Sequence, residues 1–177
     1  MKIGIDEVGY GCWAGPVYVC ALYFKEKVET QFFDSKVLSE KKRLELFEIL
    51  KNIAHWRLGI GSVEEINLKG LAYAHKMAVL RSLEGLSGEI FIDGRKPKYL
   101  ECTAIIKGDQ KIQEIAAASI VAKVSRDALM QEFGKMWPEY GFAQNKGYGT
   151  KQHINALKEF GFSSIHRTSY NLDKYLK

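Results

Sequence analysis

The chain has 177 residues, of which 46% are hydrophobic and 27% charged, and these are values of a globular protein. No apolar run approaches the roughly 18 residues that a membrane-spanning helix needs. Three cysteines without CxxC spacing argue against a disulfide framework and a zinc site. We therefore expect one domain over residues 1–177, in a reducing cytoplasm, without a secretory signal. The formal charge of +5 favours a polyanionic partner.

The first predicted strand ends in two adjacent carboxylates and a glycine-flanked turn. Residues 2–11 read KIGIDEVGYG, in which the alternating isoleucines favour a core strand. Gly9 and Gly11 would let the backbone approach a ligand where Cβ atoms would obstruct it. Because neighbouring residues of a strand point to opposite faces, Asp6 and Glu7 can act together only if the strand ends or kinks there. We expect such a kink.

Residues 17–83 contain two further strands and three helical segments. A strand over 17–24 should form a hairpin with the first strand, and Ser39 is suited to cap a helix that covers the sheet. Ser62 to Glu65 has the pattern of a capping box. The predicted elements are a strand over 17–24, a helix with Leu44, Phe47, Leu50 and Ile53 on its buried face, a strand with Trp56, Leu58 and Ile60, a short helix after Ser62, and a longer helix from about Leu68 to Leu83.

The second half of the chain repeats the pattern of a strand that stops at an acid. The strand at 90–92 is followed by Asp93 and Gly94, and the strand at 103–106 is followed by Lys107, Gly108 and Asp109. An Ala-rich helix is expected from Ile112 to the break at 137–142, and a polar loop at 145–150 precedes a helix capped by Thr150 and stopped at Gly161. For the basic and aromatic tail, with Arg167, Tyr170, Lys174 and Tyr175, surface packing is the preferred interpretation.

The acids that end these three strands predict a metal site. Asp6, Glu7, Asp93 and Asp109 would converge if their strands belong to one sheet. Carboxylates drawn together repel one another unless divalent cations neutralise them, and Mg²⁺ or Mn²⁺ favours such all-oxygen ligands. Two ions roughly 3.5–4 Å apart can activate water and stabilise the leaving oxygen of a phosphodiester. This chemistry needs no His or Cys nucleophile.

The motifs resemble the type 2 ribonucleases H, in particular the bacterial ribonuclease HII family, over nearly the whole chain. The similar blocks occur in the family's order and at similar spacing. They are DEVGYG at 6–11, DSKVLS at 34–39, IDG at 92–94, KGD at 107–109, AASIVAKVSRD at 117–127 and YGFAQNKGYGT at 140–150. The resemblance implies an α/β, ribonuclease-H-like fold with a mixed central β-sheet flanked by helices and a C-terminal helical segment. It also implies a monomeric hydrolase of RNA paired to DNA, which leaves a 5′-phosphate and a 3′-hydroxyl.

By position, the resemblance assigns the metal-binding and catalytic roles to Asp6, Glu7, Asp93 and Asp109. The substrate would be an RNA–DNA hybrid or duplex DNA with an embedded ribonucleotide. The expected substrate-binding residues are Gly9, Tyr10, Gly11, Lys36, Lys146 and Tyr148. Tyr10 departs from the family, which has an arginine at this position, and the departure removes a positive charge from the turn. Tyr148 would meet the ribonucleotide, with its hydroxyl near the 2′-OH.

Several other residues have a structural interpretation. Acids within predicted helices, namely Asp127, Glu114 and Glu132, are expected to be solvated or paired. His55 and His75 are expected in packing or at the surface, whereas His153 and His166 lie near the predicted substrate loop and remain open. Two rival functions also remain, a binding module for RNA–DNA hybrids and a DNA nuclease of the same fold. The four acids argue against a pure binding module, because they would repel the polyanion.

Overall fold

The computed structural model describes residues 1–177 and contains five strands, seven α-helices and two short 3₁₀ helices, Gly108–Gln110 and Pro138–Tyr140. The strands are β1 (Lys2–Val8), β2 (Val17–Phe24), β3 (Ala54–Gly61), β4 (Glu89–Asp93) and β5 (Thr103–Ile105). The helices are α1 (Glu40–Ile53), α2 (Val63–Lys69), α3 (Leu71–Leu83), α4 (Gln113–Met136), α5 (Phe142–Asn145), α6 (Lys151–Phe160) and α7 (Asp173–Leu176). None of the helices is long and apolar enough to cross a membrane.

The strands form one mixed sheet in the order β3-β2-β1-β4-β5. β1 pairs antiparallel with β2, as the hairpin prediction requires, and β2 pairs antiparallel with β3. On the other side, β1 and β4 are parallel, as are β4 and β5. The carboxyl ends of β1, β4 and β5 therefore lie at the same edge of the sheet, which is where the predicted acids stand.

Helices cover both faces of this sheet. One buried cluster joins β1, β2 and β4 to α2 and α3, and a second cluster joins β2 to α1 and the Ala-rich first half of α4. Two glycines allow this close packing: a Cβ at Gly4 would lie 2.2 Å from the backbone of Glu114 in α4, and one at Gly59 would lie 1.8 Å from the carbonyl of Ala78 in α3. Small residues in α4 are therefore packing residues, as predicted.

The C-terminal elements form a third cluster around Ala14 and Met130. Aromatic and aliphatic side chains from 140–172 pack there, against the turn that joins β1 to β2 and against α4. Thr150 caps α6 by accepting a hydrogen bond from the His153 amide, and α6 stops before Gly161, as predicted. The capping box of α2 is also confirmed, because Ser62 and Glu65 bond each other's backbone amides.

Four details of the prediction are wrong. The longer helix does not begin at Leu68, because Gly70, at φ +85°, separates α2 from α3. In α1 the buried residues are Leu46 and Leu50, whereas Leu44 is exposed. Strand β1 neither ends nor kinks at its two acids, since it pairs with β2 as far as Val8. Arg167 does not lie on the surface but is fully buried.

Candidate active site

Three predicted acids stand on neighbouring strand ends, and the regular pairing of β1 sends two of them to opposite faces. Ile5 pairs with Ile92, so Asp6 lies beside Asp93 at the edge of the sheet. Asp6 is buried on the α4 side, and its Oδ1 accepts the backbone N–H of Glu7 at 2.8 Å. Glu7 is half-buried on the α3 side, and one of its carboxylate oxygens lies 3.8 Å from Nε2 of His75.

Lys36 lies among four aspartates. Burial opposes its positive charge, but the charges of Asp6, Asp34, Asp109 and Asp93 together raise the pKa of Lys36 above its ordinary value. Lys36 is exposed and forms no salt bridge with these acids, so it acts on them as a nearby cation through space. The structure thus brings Lys36, the three predicted aspartates and one further acid to the same site.

That further acid is Asp34, which the sequence analysis quoted only within the DSKVLS motif. Its side chain accepts the backbone N–H of Lys36 at 2.9 Å, and its negative charge acts on the neighbouring Asp109. Burial raises the pKa of Asp109, and the charges of Asp34 and Asp93 raise it further. A signal for Asp34 was present, since an acid two residues before a loop lysine is ready to bond that lysine's amide as an Asx turn.

The remaining acid, Asp93, joins β4 to the turn that carries Asp109. Its Oδ1 accepts the backbone N–H of Gly108 at 2.6 Å. A Cβ at Gly108 would lie 2.7 Å from the side chain of Ile115, so the glycine allows this turn to pack on α4. The hydrogen bond from the Gly108 N–H to Asp93 therefore keeps the turn with Asp109 close to the end of β4.

A hollow of about 320 Å³ opens beside Glu7 and Asp93, on the α3 side of the sheet. The Tyr10 ring packs edge-on against His75, with centroids 5.3 Å apart, and both residues line the hollow. Nε2 of His75 and the hydroxyl of Tyr99 are buried there without a hydrogen-bond partner. His75 was predicted to be a packing or surface residue; it packs on Tyr10 and also lies next to Glu7, a candidate metal-binding acid.

The donor set fits a hard divalent cation in chemistry, although no three His, Cys, Asp or Glu side chains are spaced closely enough to hold one. The pKa of Asp6 is raised well above its ordinary value by burial and by the charge of Glu7. Repulsion of this kind is relieved when a cation binds, and carboxylate oxygens are the ligands that Mg²⁺ and Mn²⁺ prefer. Asp6, Glu7, Asp93 and Asp109 are the acids that such an ion would have to draw closer together before it could be held by three of them.

The glycine turn after β1 presents hydrogen-bond donors without protein acceptors. The backbone N–H groups of Gly9, Tyr10 and Gly11 bond to no group of the protein, whereas the carbonyls of Gly9 and Tyr10 accept from the guanidinium of Arg167, at 2.6 and 2.8 Å. Gly9 has φ +86°, and a Cβ at Gly11 would meet no protein atom within 4 Å. The turn can therefore be approached closely by an acceptor-rich ligand.

The predicted Tyr148 loop packs on this turn. The Gly147 carbonyl accepts the N–H of Trp13 at 2.8 Å, and Gly149 lies against the Trp13 ring. Tyr148 itself is partly exposed, and burial of its hydroxyl, followed by the neighbouring Cys12, raises its pKa to about 12. The structure therefore joins two of the predicted substrate elements. The ammonium of Lys146 donates to the Ala143 carbonyl of α5 at 2.6 Å, and its contact with the substrate stays a prediction.

A buried histidine pair supports the same loop. Nδ1 of His166 accepts the N–H of Ser163 at 2.8 Å, so its proton lies on Nε2 and is donated to Nε2 of His153 at 2.9 Å. His153 then donates from Nδ1 to the Tyr148 carbonyl at 3.0 Å. Burial lowers the pKa of both imidazoles, and that of His166 falls to about 4. These histidines, left open by the sequence, are neutral supports of the loop.

The mixed sheet with acids at its edge has the architecture of the ribonuclease-H-like class of α/β proteins. The fold is similar to the ribonuclease HII of Archaeoglobus fulgidus in its structure with PCNA, with a TM-score of 0.80, 26% identity and coverage of 97% of this chain and 96% of that one. The family model for ribonuclease HII matches residues 3–172. The chain belongs to the ribonuclease HII family.

Curated relatives agree with this assignment. The chain is 43% identical to ribonuclease HII of Pseudothermotoga lettingae over 173 residues, which cover 96% of this chain and 76% of that protein. It is 42% identical to ribonuclease HII of Neisseria meningitidis serogroup B over 178 residues, covering 96% of this chain and 92% of that protein. The resemblance inferred from the sequence motifs is thereby confirmed.

Proposed function

We propose that this protein is an endoribonuclease that hydrolyses the RNA strand of RNA–DNA hybrids and cleaves at ribonucleotides embedded in duplex DNA. It would leave 5′-phosphate and 3′-hydroxyl ends and act as a monomer in the cytoplasm. The observation that carries the proposal is that Asp6 lies beside Asp93, which bonds the turn of Asp109, at the strand end that leads into a turn whose N–H groups lack protein acceptors. Membership of the ribonuclease HII family supplies the reaction class.

In this proposal Asp6, Glu7, Asp93 and Asp109 bind two Mg²⁺ or Mn²⁺ ions. Ions of this kind activate an attacking water and stabilise the leaving oxygen of a phosphodiester. The other residues of the site position the substrate. Lys36 reduces the repulsion that four acids exert on a phosphate, and the glycine turn donates hydrogen bonds to the ribonucleotide. Tyr148 lies against its sugar, where the 2′-OH distinguishes RNA from DNA.

The deciding experiment measures cleavage of a duplex with one embedded ribonucleotide beside an all-DNA duplex, with Mg²⁺, with Mn²⁺ and with EDTA. We expect metal-dependent cleavage of the first duplex alone. Cleavage of both would favour a DNA nuclease of the same fold. Tight binding without cleavage under any metal would favour a module that only binds hybrids, and either result would refute the proposal.

Two substitutions connect that reaction to the acids. Asp6→Asn and Asp109→Asn should abolish turnover, since loss of one electrostatic element costs about 10²–10³ in rate and loss of a metal costs more. Because both acids have a raised pKa, we expect each variant to fold at least as stably as the wild type in EDTA. Near-normal cleavage by either folded variant would remove that acid from the site.

A further inference from the structure

Two arginines are buried completely without a carboxylate partner. Arg126 in α4 and Arg167 in the tail both have 0% exposure, and neither forms a salt bridge. Burial lowers the pKa of Arg167, which shows that its charge is held at a cost. A buried guanidinium is kept only where several acceptors satisfy it. The acceptors of these two arginines are therefore informative.

Backbone carbonyls are nearly all of those acceptors, and most of them belong to the segment 9–16. Arg167 donates to the carbonyls of Gly9, Tyr10 and Gly15 at 2.6, 2.8 and 2.9 Å, and to the Tyr170 hydroxyl at 3.0 Å. The carbonyl acceptors of Arg126 are those of Ala14 at 3.0 Å, Pro16 at 2.9 Å and Lys146 at 2.8 Å.

These contacts decide which way the turn faces. The carbonyls of Gly9 and Tyr10 are bound to Arg167 inside the protein, while the N–H groups of Gly9, Tyr10 and Gly11 have no acceptor in the protein. Gly9 makes the arrangement possible, because a Cβ there would lie 2.2 Å from Nε of Arg126. The turn consequently offers donors, with two fixed cations beneath it.

We propose that Arg126 and Arg167 are positioning residues that hold the carbonyls of the segment 9–16 inside the protein, so that the N–H groups of the turn face the nucleic-acid backbone. This inference rests on the proposed function, and it adds that the guanidiniums of Arg126 and Arg167 supply positive potential at the turn. Tyr10 is uncharged, so no side-chain cation stands on the turn itself, and the buried guanidiniums attract phosphate from below. Arg126 also binds the Lys146 carbonyl, and thereby joins the turn to the loop that carries Tyr148.

Arg167→Lys tests the geometry apart from the charge. A lysine keeps the positive charge, but its single ammonium cannot span the three carbonyls that the planar guanidinium bonds. We expect kcat/KM on the one-ribonucleotide duplex to fall about 10-fold to 100-fold, the scale on which a displaced positioning group acts, and we expect the loss in KM, with kcat within about 3-fold. A merely structural role would lower the active fraction, and so kcat, with KM unchanged.

A binding assay separates this inference from the proposed function. Fluorescence anisotropy with the same duplex in EDTA should show a Kd about 10-fold higher for Arg167→Lys than for the wild type, whether or not the wild type cleaves. The matched control is Arg57→Lys on β3, whose exposed guanidinium bonds Glu84 and should leave KM and Kd unchanged. Equal Kd and KM for a folded Arg167→Lys would overturn the inference, as would failure of the wild type to bind.

If Arg167→Lys does not fold, Tyr170→Phe carries the test. It removes a single hydrogen bond to Nη1 of Arg167 and leaves the charge and the three carbonyl contacts in place. We expect a folded protein with KM and Kd raised about 3-fold, because the guanidinium loses its lateral support. Wild-type KM and Kd in this variant, together with a folded circular dichroism spectrum, would equally refute the positioning role.

Discussion

Replacing Gly9 and Gly11 separately by alanine distinguishes a glycine that the protein needs from one that the ligand needs. A Cβ at Gly9 would lie 2.2 Å from Nε of Arg126 and 2.8 Å from its Cδ and Cζ, at φ +86°. A Cβ at Gly11 would meet nothing within 4 Å. The same substitution at two positions two residues apart therefore has different consequences for folding.

The cost at Gly9 can be worked out from these contacts. An L-residue in the left-handed region costs about 1–2 kcal/mol. Displacing Arg126 breaks some of its three hydrogen bonds to carbonyls, and each bond to a charged group is worth about 1.5–3 kcal/mol. With two bonds lost, Gly9→Ala should lower the free energy of unfolding by about 4–8 kcal/mol, against a total of about 5–15 kcal/mol for a typical domain.

Urea denaturation measures the free energy of unfolding of the two variants, and the cleavage assay measures their activity. Gly11→Ala should unfold within about 1 kcal/mol of the wild type, because alanine there is neither strained nor crowded. If the duplex backbone approaches the turn, Gly11→Ala should still lower kcat/KM at least about 10-fold, since its methyl group meets the substrate. The reasoning fails if Gly9→Ala is as stable as Gly11→Ala, and the substrate role of the turn fails if Gly11→Ala is fully active.

Three further predictions concern charge, recognition and pH. Tyr10→Arg should tighten duplex binding mainly at low salt and steepen the salt dependence of Kd by about one counterion; an unchanged slope would mean that this position does not face a phosphate. Tyr148→Phe should lose a hydrogen bond of about 0.5–1.5 kcal/mol and Tyr148→Ala also the ring contact, so kcat/KM should fall in that order, and wild-type activity of the alanine variant would exclude the residue from the site. The pKa of His166 is about 4 in the folded protein and about 6.5 in the unfolded chain. The free energy of unfolding should therefore be highest above pH 6.5 and fall by no more than about 3 kcal/mol towards pH 4, and urea midpoints of the wild type and of His166→Asn over this range measure the fall.

The sequence predicts best those features that local patterns determine. The hairpin of β1 and β2, the capping box at Ser62 and the Thr150 cap depend on residues a few positions apart, and the structure contains all three. The convergence of Asp6 and Asp93 was also predictable, since parallel strands end at a common edge. Local patterns failed at Gly70, where a single positive φ divides what reads as one helix.

Long-range partners are what the sequence could not show. Asp34 looks like any loop acid until its position near Asp109, 75 positions later, is known. Arg167 looks like a surface base in a polar tail, and only the fold shows that carbonyls more than 150 positions earlier satisfy it. Asp6 and Glu7 point in opposite directions because β1 pairs regularly with β2 through both residues. The sequence analysis expected a kink there, and that prediction is wrong.

The distance along the chain between Arg167 and the turn also determines when the turn can form during synthesis. Its carbonyls at positions 9, 10 and 15 receive this partner only after residue 167 has left the ribosome, about 150 residues after they have. At about 5–20 residues per second, that interval lasts roughly 8–30 s. During that time the nascent chain already carries its first strand but lacks the arginine, so a translation product truncated before residue 167 would have no donor for these three carbonyls from that side chain.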